Sequence, residues 1–290
     1  MRSVGQRLLL YLPLIKARQT ALLLITGFAG FVSSQPGILS WGTIAGLLGS
    51  LALAISGSTV LNMVFDRDLD ARMSRTAGRP LPSGKMSDRE ASILGFILSS
   101  AGLIWAFSLS IVFGLVVFAG LFIDVVVYTL WLKRKTAWSI VWGGLSGGMP
   151  ILAGRVLGTG TIDYIGILLA VSILLWIPTH ILTFSLTGRH SDDYRRAGIP
   201  TFPQVYGHGK TRIIIALSST GAACSIALGC FALGLEGGYI RLLSVLTAGI
   251  IGLSVFSIYQ PSDRVDFGLF KYASLYMLGA MLMLVLGTLR

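Results

Sequence analysis

Nine stretches of mostly apolar residues, each close to the length of a bilayer-spanning helix, constrain this chain more than any other feature. They cover about 19–34, 41–65, 91–107, 110–132, 137–155, 163–187, 212–233, 237–258 and 267–288. A bilayer core needs roughly 20 such residues per helix. Only helices satisfy every backbone polar group within one apolar segment. The expected fold is therefore an all-α integral membrane protein, a bundle of about nine transmembrane helices. Composition agrees: 54% of residues are hydrophobic, 12% are charged, and the mean hydropathy is +0.79. Soluble domains usually carry about 25% charged residues. The 36 glycines suit helices that approach closely in lipid. No soluble domain interrupts the pattern, so residues 1–290 read as a single transmembrane domain.

Basic residues test the helix count. With the N-terminus in the cytoplasm, every Lys and Arg except Arg155, Arg241 and Arg290 falls on the cytoplasmic side. This is the bias expected of cytoplasmic loops. It places the C-terminus outside and the polar end of the bundle at the cytoplasmic face of the cell membrane. The formal charge of +11 is thereby explained by topology and by attraction to anionic membrane lipid. No nucleic-acid-binding motif accompanies it, so no nucleic acid is expected as partner. The N-terminus has basic residues and a short apolar run like a signal peptide. No small-residue cleavage site follows, and it reads as the lead-in to the first span. Cys224 and Cys230 share one apolar stretch and have neither disulfide nor metal-ligand spacing.

The polar chemistry gathers in two long loops. The first begins "NMVFDRDLDARMSRTAGRPLPSGK". Asn62, Asp66 and Asp70 are spaced i, i+4, i+8 and share one helix face, while Asp68 points away toward a nearby arginine. Acids at a helix C-terminus oppose the macrodipole and call for a compensating cation. Two carboxylates and an amide oxygen suit Mg²⁺, which typically also takes phosphate oxygens and waters. Arg75, Arg79 and Lys85 follow in a loop stiffened by Pro80 and Pro82. Such cations can hold a diphosphate bridged to the metal. The second loop contains "HSDDYRRAGIPTFPQVYG". Asp192 and Asp193 are adjacent and cannot face one direction from a regular helix. One is expected to join the metal and the other to cap or to pair with Arg195 or Arg196. Both are candidate catalytic residues, and Asp193 is the ligand candidate beside Asn62, Asp66 and Asp70.

Three further residues are polar within apolar segments. Asp124 lies about 13 Å from the basic end of its helix at a 1.5 Å rise per residue, with Tyr128 at i+4 on the same face. An intramembrane carboxylate is costly and faces a polar interior. Its role is either structural partner to a cavity residue or contact to substrate. His180 follows Pro178, which would kink or break its helix. It is either a hydrogen-bonded structural histidine or a substrate-side residue. His190 and His208 have no ligand spacing. There is no P-loop, dinucleotide-binding glycine fingerprint, zinc motif or serine-nucleophile motif.

The block "NMVFDRDLDARMSRTAGRPLPSG" resembles the aspartate-rich motif of the UbiA superfamily of intramembrane prenyltransferases, in the form seen in its haem O synthase branch. "IKARQTALLLITGFAG", "YTLWLKRKTAWSIVWGGLSGGMPILAG" and "DDYRRAGIPTFPQVYG" are similar to further blocks of that branch, in order, from about residue 14 to 210. The resemblance implies Mg²⁺-assisted ionisation of an isoprenyl diphosphate, farnesyl diphosphate in that branch. A vinyl group of haem b would then be prenylated to give haem O. It implies that Arg75, Arg79, Lys85, Asp124, Tyr128, Lys133 and His180 bind substrate, with His180 on the acceptor side. There are departures. Ala17 stands where the branch has proline. Pro178-Thr179-His180-Ile181 replaces Pro-Pro-His-Phe, and Thr201-Phe202-Pro203 replaces Met-Leu-Pro. The second loop has adjacent aspartates where the wider superfamily often spaces two by four. These changes touch the acceptor side more than the metal and diphosphate side, so a related enzyme with an aromatic or lipid acceptor is the alternative. A transporter would spread its charges through the membrane depth, whereas these crowd one end.

Overall fold

The computed structural model describes residues 11–35, 39–235 and 237–289, with the side chains of residues 189 and 190 outside the description. Arg2, Arg7 and Arg290 of the charge argument, and the side chain of His190, lie outside the described residues. The described residues are helical throughout, joined by turns. In chain order the helices are α1 (Ala17–Ser33), α2 (Trp41–Phe65), α3 (Arg67–Arg72), α4 (Asp88–Leu109), α5 (Ile111–Phe122) with a π-helical continuation (Ile123–Leu132), α6 (Ser139–Thr159), α7 (Tyr164–Leu186), α8 (Gly188–Ala197), α9 (Phe202–Tyr206), α10 (His208–Ala232), α11 (Gly237–Tyr259) and α12 (Asp263–Thr288). Eight of these are long and apolar enough to cross a membrane, counting α5 with its continuation as one. The ninth, α1, has 17 residues, the short end of spanning lengths. The chain is a multi-pass membrane protein.

Each long helix packs on the next in chain order, and α12 returns to α1, closing a ring. Further contacts cross it: α1 with α6, α7 with α12, and α2 with α5 and its continuation. Lipid tails are as apolar as leucine, so close packing rather than hydrophobic burial holds such helices together. The α1–α6 crossing shows how close. A Cβ built on Gly154 would lie 1.8 Å from the carbonyl oxygen of Gly27, and one on Gly30 would lie 2.0 Å from that of Ile151. The α2–α4 crossing uses the same device. A Cβ on Gly102 would lie 2.5 Å from the backbone nitrogen of Ala54, and one on Gly57 2.5 Å from that of Ser99. A single residue, Ser110, separates α4 from α5, and its hydroxyl accepts from the Phe113 N–H to cap the new helix. Pro178 neither breaks nor ends α7, which runs unbroken to Leu186, just as α6 runs through Pro150.

Buried charges at the end away from the polar loops are paired. Arg155 donates to both oxygens of Asp163 and to the Ser33 carbonyl at 2.6 Å, which ties α6, the start of α7 and the end of α1 together. At the polar end Arg212 of α10 meets the fully buried Asp266 of α12, which also accepts from Ser257 of α11.

The glycine crossings set a test of the packing. Gly154→Val should lower the detergent-solubilised protein's stability by about 3 kcal/mol, the upper part of the usual range for overpacking. Gly78→Ala, where an added Cβ meets nothing within 4 Å, should leave the thermal midpoint unchanged. Thermal unfolding of the two variants side by side checks this.

Candidate active site

The three aspartates at the end of α2 each receive a cation. Asp66 forms an ion pair with Lys133, Asp68 with Arg134 and Asp70 with Arg79. This is the compensation that acids at a helix C-terminus require. Arg134 also donates to the last carbonyl of α2, on Phe65, at 2.7 Å. The backbone turns at Asp66 (φ −94°, ψ 5°), dividing α2 from α3. The i to i+4 ladder survives the turn: Asp66 N–H donates to Asn62 at 2.9 Å and Asp70 N–H to Asp66 at 2.8 Å. Asn62, Asp66 and Asp70 therefore stay in line, as their spacing predicts. Asp68 is half exposed and holds Arg134 through both oxygens, at 2.7 and 2.8 Å. That pairing lowers its carboxyl below the usual range.

A cavity of about 360 Å³ opens beside this face. Asn62, Asp66, Asp70, Arg75, Arg79, Tyr128, Lys133 and His180 line it. The structure thus brings together, from α2, α3, the loop after it, the π-helical stretch and α7, most of the residues singled out from sequence. Its charges divide unevenly. The two carboxylates are 10% and 4% exposed and already hold Lys133 and Arg79. Asp66 Oδ1 is buried with no hydrogen-bond partner among the described residues. A carboxylate oxygen so placed at a cavity wall is free to accept from water or to hold an ion. Burial works against the Lys133 ammonium, but the Tyr128 phenol and Asp66 raise its pKa above the ordinary lysine range.

Other candidates are placed differently. Asp124 does not line the cavity. It accepts from Ser58 and, at 2.7 Å, from the Asn62 amide, whose oxygen in turn accepts from Thr129 at 2.9 Å. Of its two open roles the structural one is what the contacts show. The π-helical stretch explains this. Lys133 N–H reaches back five residues to Tyr128 at 2.8 Å, so Asp124 and Thr129, five apart, reach the same amide. A sequence read at α-helical spacing pairs Asp124 with Tyr128 instead. Lys85 is exposed on the outer edge of its loop and is absent from the cavity wall. Asp192 is exposed and pairs with Arg195. Asp193 is buried but turned toward the first loop. It accepts from the Ser74 N–H at 3.0 Å, the Ser74 hydroxyl at 2.9 Å and Arg196 at 2.6 Å. Burial disfavours its charge, yet these donors hold its carboxyl at about 2. Neither aspartate of the pair lines the cavity. Among the described residues no three acidic, histidine or cysteine side chains converge on one point.

His180 is stacked between Trp176 and Phe270, ring centroids 4.9 and 4.5 Å away. Its Nδ1 lies 3.2 Å from the Ser274 hydroxyl. Phe184, Ile181 and Phe270 continue the wall as an apolar surface. Lys16 also lines the cavity; it belongs to the "IKARQ" lead-in block, where the sequence marks it as a topology charge with no binding role. Its backbone is left-handed (φ 44°), a conformation uncommon for a side-chain-bearing residue. Burial, then the neighbouring charges of Arg79 and Lys133, pull its ammonium down to about 8.

Comparison with known proteins agrees with this fold. The UbiA prenyltransferase family model matches residues 23–279. A protoheme IX farnesyltransferase from Pyrobaculum neutrophilum is 38% identical over 267 residues, 91% of this chain and 94% of the relative. Among solved structures, a digeranylgeranylglyceryl phosphate synthase superposes with a TM-score of 0.82 at 20% identity, covering 98% of this chain and 99% of the other. A UbiA homologue from Archaeoglobus fulgidus bound to GPP and Mg²⁺ gives a TM-score of 0.68 at 18% identity, covering 95% and 99%. With nine long helices among the described residues closed around a charged cavity, and a family match over most of its length, the chain belongs to the UbiA prenyltransferase family.

Proposed function

We propose that the cavity binds an isoprenyl diphosphate, farnesyl diphosphate by preference, and transfers its prenyl group to haem b. The observation that carries this reading is the orphaned Asp66 Oδ1 in a wall shared with Arg75, Arg79, Lys133 and Lys16. The donor set is hard oxygen on Asp66 and Asp70, which suits Mg²⁺ with its remaining positions taken by diphosphate and water. Asn62 would add to that set through the spare lone pair of its amide oxygen. The GPP and Mg²⁺ in the Archaeoglobus neighbour support this. Bound there, the ion would neutralise charge on the departing diphosphate.

The chain's own residues do the rest. Arg75 and Arg79 present guanidinium forks, and Lys133 and Lys16 present ammonium groups, where the diphosphate collects negative charge as its C–O bond breaks. The bonding pair leaves with the diphosphate, and an allylic cation remains on the prenyl carbon. The faces of Tyr128 and Phe184 suit a cation. The apolar wall lodges the tail and excludes the water that would quench it. The π pair of a haem vinyl group then closes on that carbon, which moves the positive charge to the vinyl carbon beside the macrocycle; addition of water there and loss of its proton gives the neutral product. Haem as acceptor is supported by the name of the Pyrobaculum relative at 38% identity, and His180 is the acceptor-side residue of this reading. Asp193, expected from sequence at the metal, is left out of the ligand set because its oxygens are engaged by the first loop. The basic-residue bias supports a cytoplasmic position for this polar end in the cell membrane.

Purified protein given farnesyl diphosphate, Mg²⁺ and haem b should form a farnesylated haem, seen by chromatography and mass. Diphosphate release only with an aromatic or lipid acceptor would replace haem in the proposal. Asp66→Asn should lower kcat/KM by about 100-fold or more, the scale of losing one charge-stabilising group. Asp68→Asn should stay within about threefold, as suits an exposed pair. The Lys16 ammonium is present below about pH 8 and lost above it. The donor kcat/KM should therefore fall as pH rises through about 8, and Lys16→Met should abolish that limb of the profile.

A further inference from the structure

The two polar loops meet over the cavity, and a single carboxylate fastens them. Asp193, in α8, is 3% exposed. Besides the Ser74 contacts at 3.0 and 2.9 Å, its second oxygen lies 2.9 Å from the Ser74 hydroxyl and 3.4 Å from the Arg75 N–H. Arg196 closes the set from the outside. Beside this junction Leu69 and Met73 of the first loop pack on Ala197 and Ile199 of the second. The residues next to each end of the junction, Arg75 and Tyr194, both line the cavity. The Arg75 guanidinium is placed 5.7 Å over the Phe184 ring.

We infer that Asp193 is a positioning residue, a latch that fixes the Ser74–Arg75 backbone and so holds Arg75 and Tyr194 over the cavity. It acts through the first loop and not by ligating a metal. The physical basis is the number and kind of donors. Two backbone N–H groups, a hydroxyl and a guanidinium converge on one buried carboxylate, and a carboxylate so engaged is held more firmly than a neutral acceptor would be. Breaking it leaves the Ser74 donors without their acceptor and frees the loop that carries Arg75. The inference rests on the donor-binding reading above for its kinetic consequence, but the latch itself is a contact between loops and can be tested without turnover.

The experiment combines Ser74→Ala, Asp193→Ala, Asp193→Asn and the Ser74→Ala/Asp193→Ala double variant in detergent-solubilised full-length protein. Tryptic cleavage after Arg72 and Arg75, followed by Met73 and Thr76, reports loop opening directly. Ser74→Ala and Asp193→Ala should each speed it by about tenfold, the scale of losing an acceptor for buried donors. Asp193→Asn, which keeps one acceptor oxygen for the Ser74 N–H, should fall between them and wild type. In turnover, the same variants should raise the donor KM by a similar factor while the Mg²⁺ concentration for half-maximal rate stays unchanged. The double variant should be no worse than Asp193→Ala alone. A raised Mg²⁺ requirement in Asp193→Asn, with Ser74→Ala like wild type, would overturn the latch and place Asp193 at the metal. Unchanged cleavage in both single variants would overturn it also. If Asp193→Ala fails to fold, Ser74→Ala and Asp193→Asn decide by cleavage rate. Unaltered cleavage in Ser74→Ala is then the contrary result. If no variant and no wild-type sample turns over, the cleavage arm still decides the latch, and only the donor reading has failed.

Discussion

The site depends on the pairing of Asp66 with Lys133 at the membrane end of α2. A carboxylate taken out of water needs a cation and hydrogen bonds to stay charged. Here one oxygen has the lysine and the other has no hydrogen-bond partner among the described residues. The pair thus keeps a negative group in place while leaving half of its capacity open. The lysine comes from the far end of the π-helical stretch, so the pair also joins the α5 segment to α2. The Asn62 amide, held between Asp124 and Thr129, makes the same join one turn deeper. Arg134, through Asp68 and the Phe65 carbonyl, adds a further polar tie between the same two helix ends.

From that join the rest follows by geometry. Asp70 and Arg79 bring the first loop back over its own helix. Asp193 then ties the second loop onto the first, and Phe202 with Trp138 packs the far side of that loop against the start of α6, ring centroids 4.9 Å apart. The outcome is a charged chamber at one end of a ring of apolar helices. A diphosphate and a hydrocarbon tail differ in where they are stable, and this arrangement offers each its own surroundings within one cavity. Prenyl transfer needs both, because the leaving group must be neutralised and the cation must be kept from water.

Much of this was readable in the amino-acid order, and the exceptions have physical causes. The nine segments appear at nearly their final bounds because lipid imposes length and composition on every span. The line of Asn62, Asp66 and Asp70 appears because a period of four survives even a turn at Asp66. The separate direction of Asp68 appears for the same reason. What spacing could not give is contact between elements. Asp193 is adjacent to Asp192 in sequence, yet one is buried under Ser74 and the other is exposed beside Arg195. Asp124 seemed to share a face with Tyr128, but the π-helical bonding hands it to Asn62 instead. Lys16 lies in the lead-in block, but nothing in the spacing of that block marks it for a binding role. Its place in the cavity depends on a left-handed residue and on how α1 enters the ring.

The central claim is that the Asp66 face holds a metal-bridged diphosphate. The most direct measurement is calorimetric binding of a non-ionisable isoprenyl diphosphate analogue to the protein in lipid nanodiscs, with and without Mg²⁺, in wild type and Asp66→Asn. The result expected is binding by wild type that strengthens with Mg²⁺, and loss of that Mg²⁺ dependence in Asp66→Asn. Equal affinity in all four conditions, or binding by Asp66→Asn that still strengthens with Mg²⁺, would contradict it.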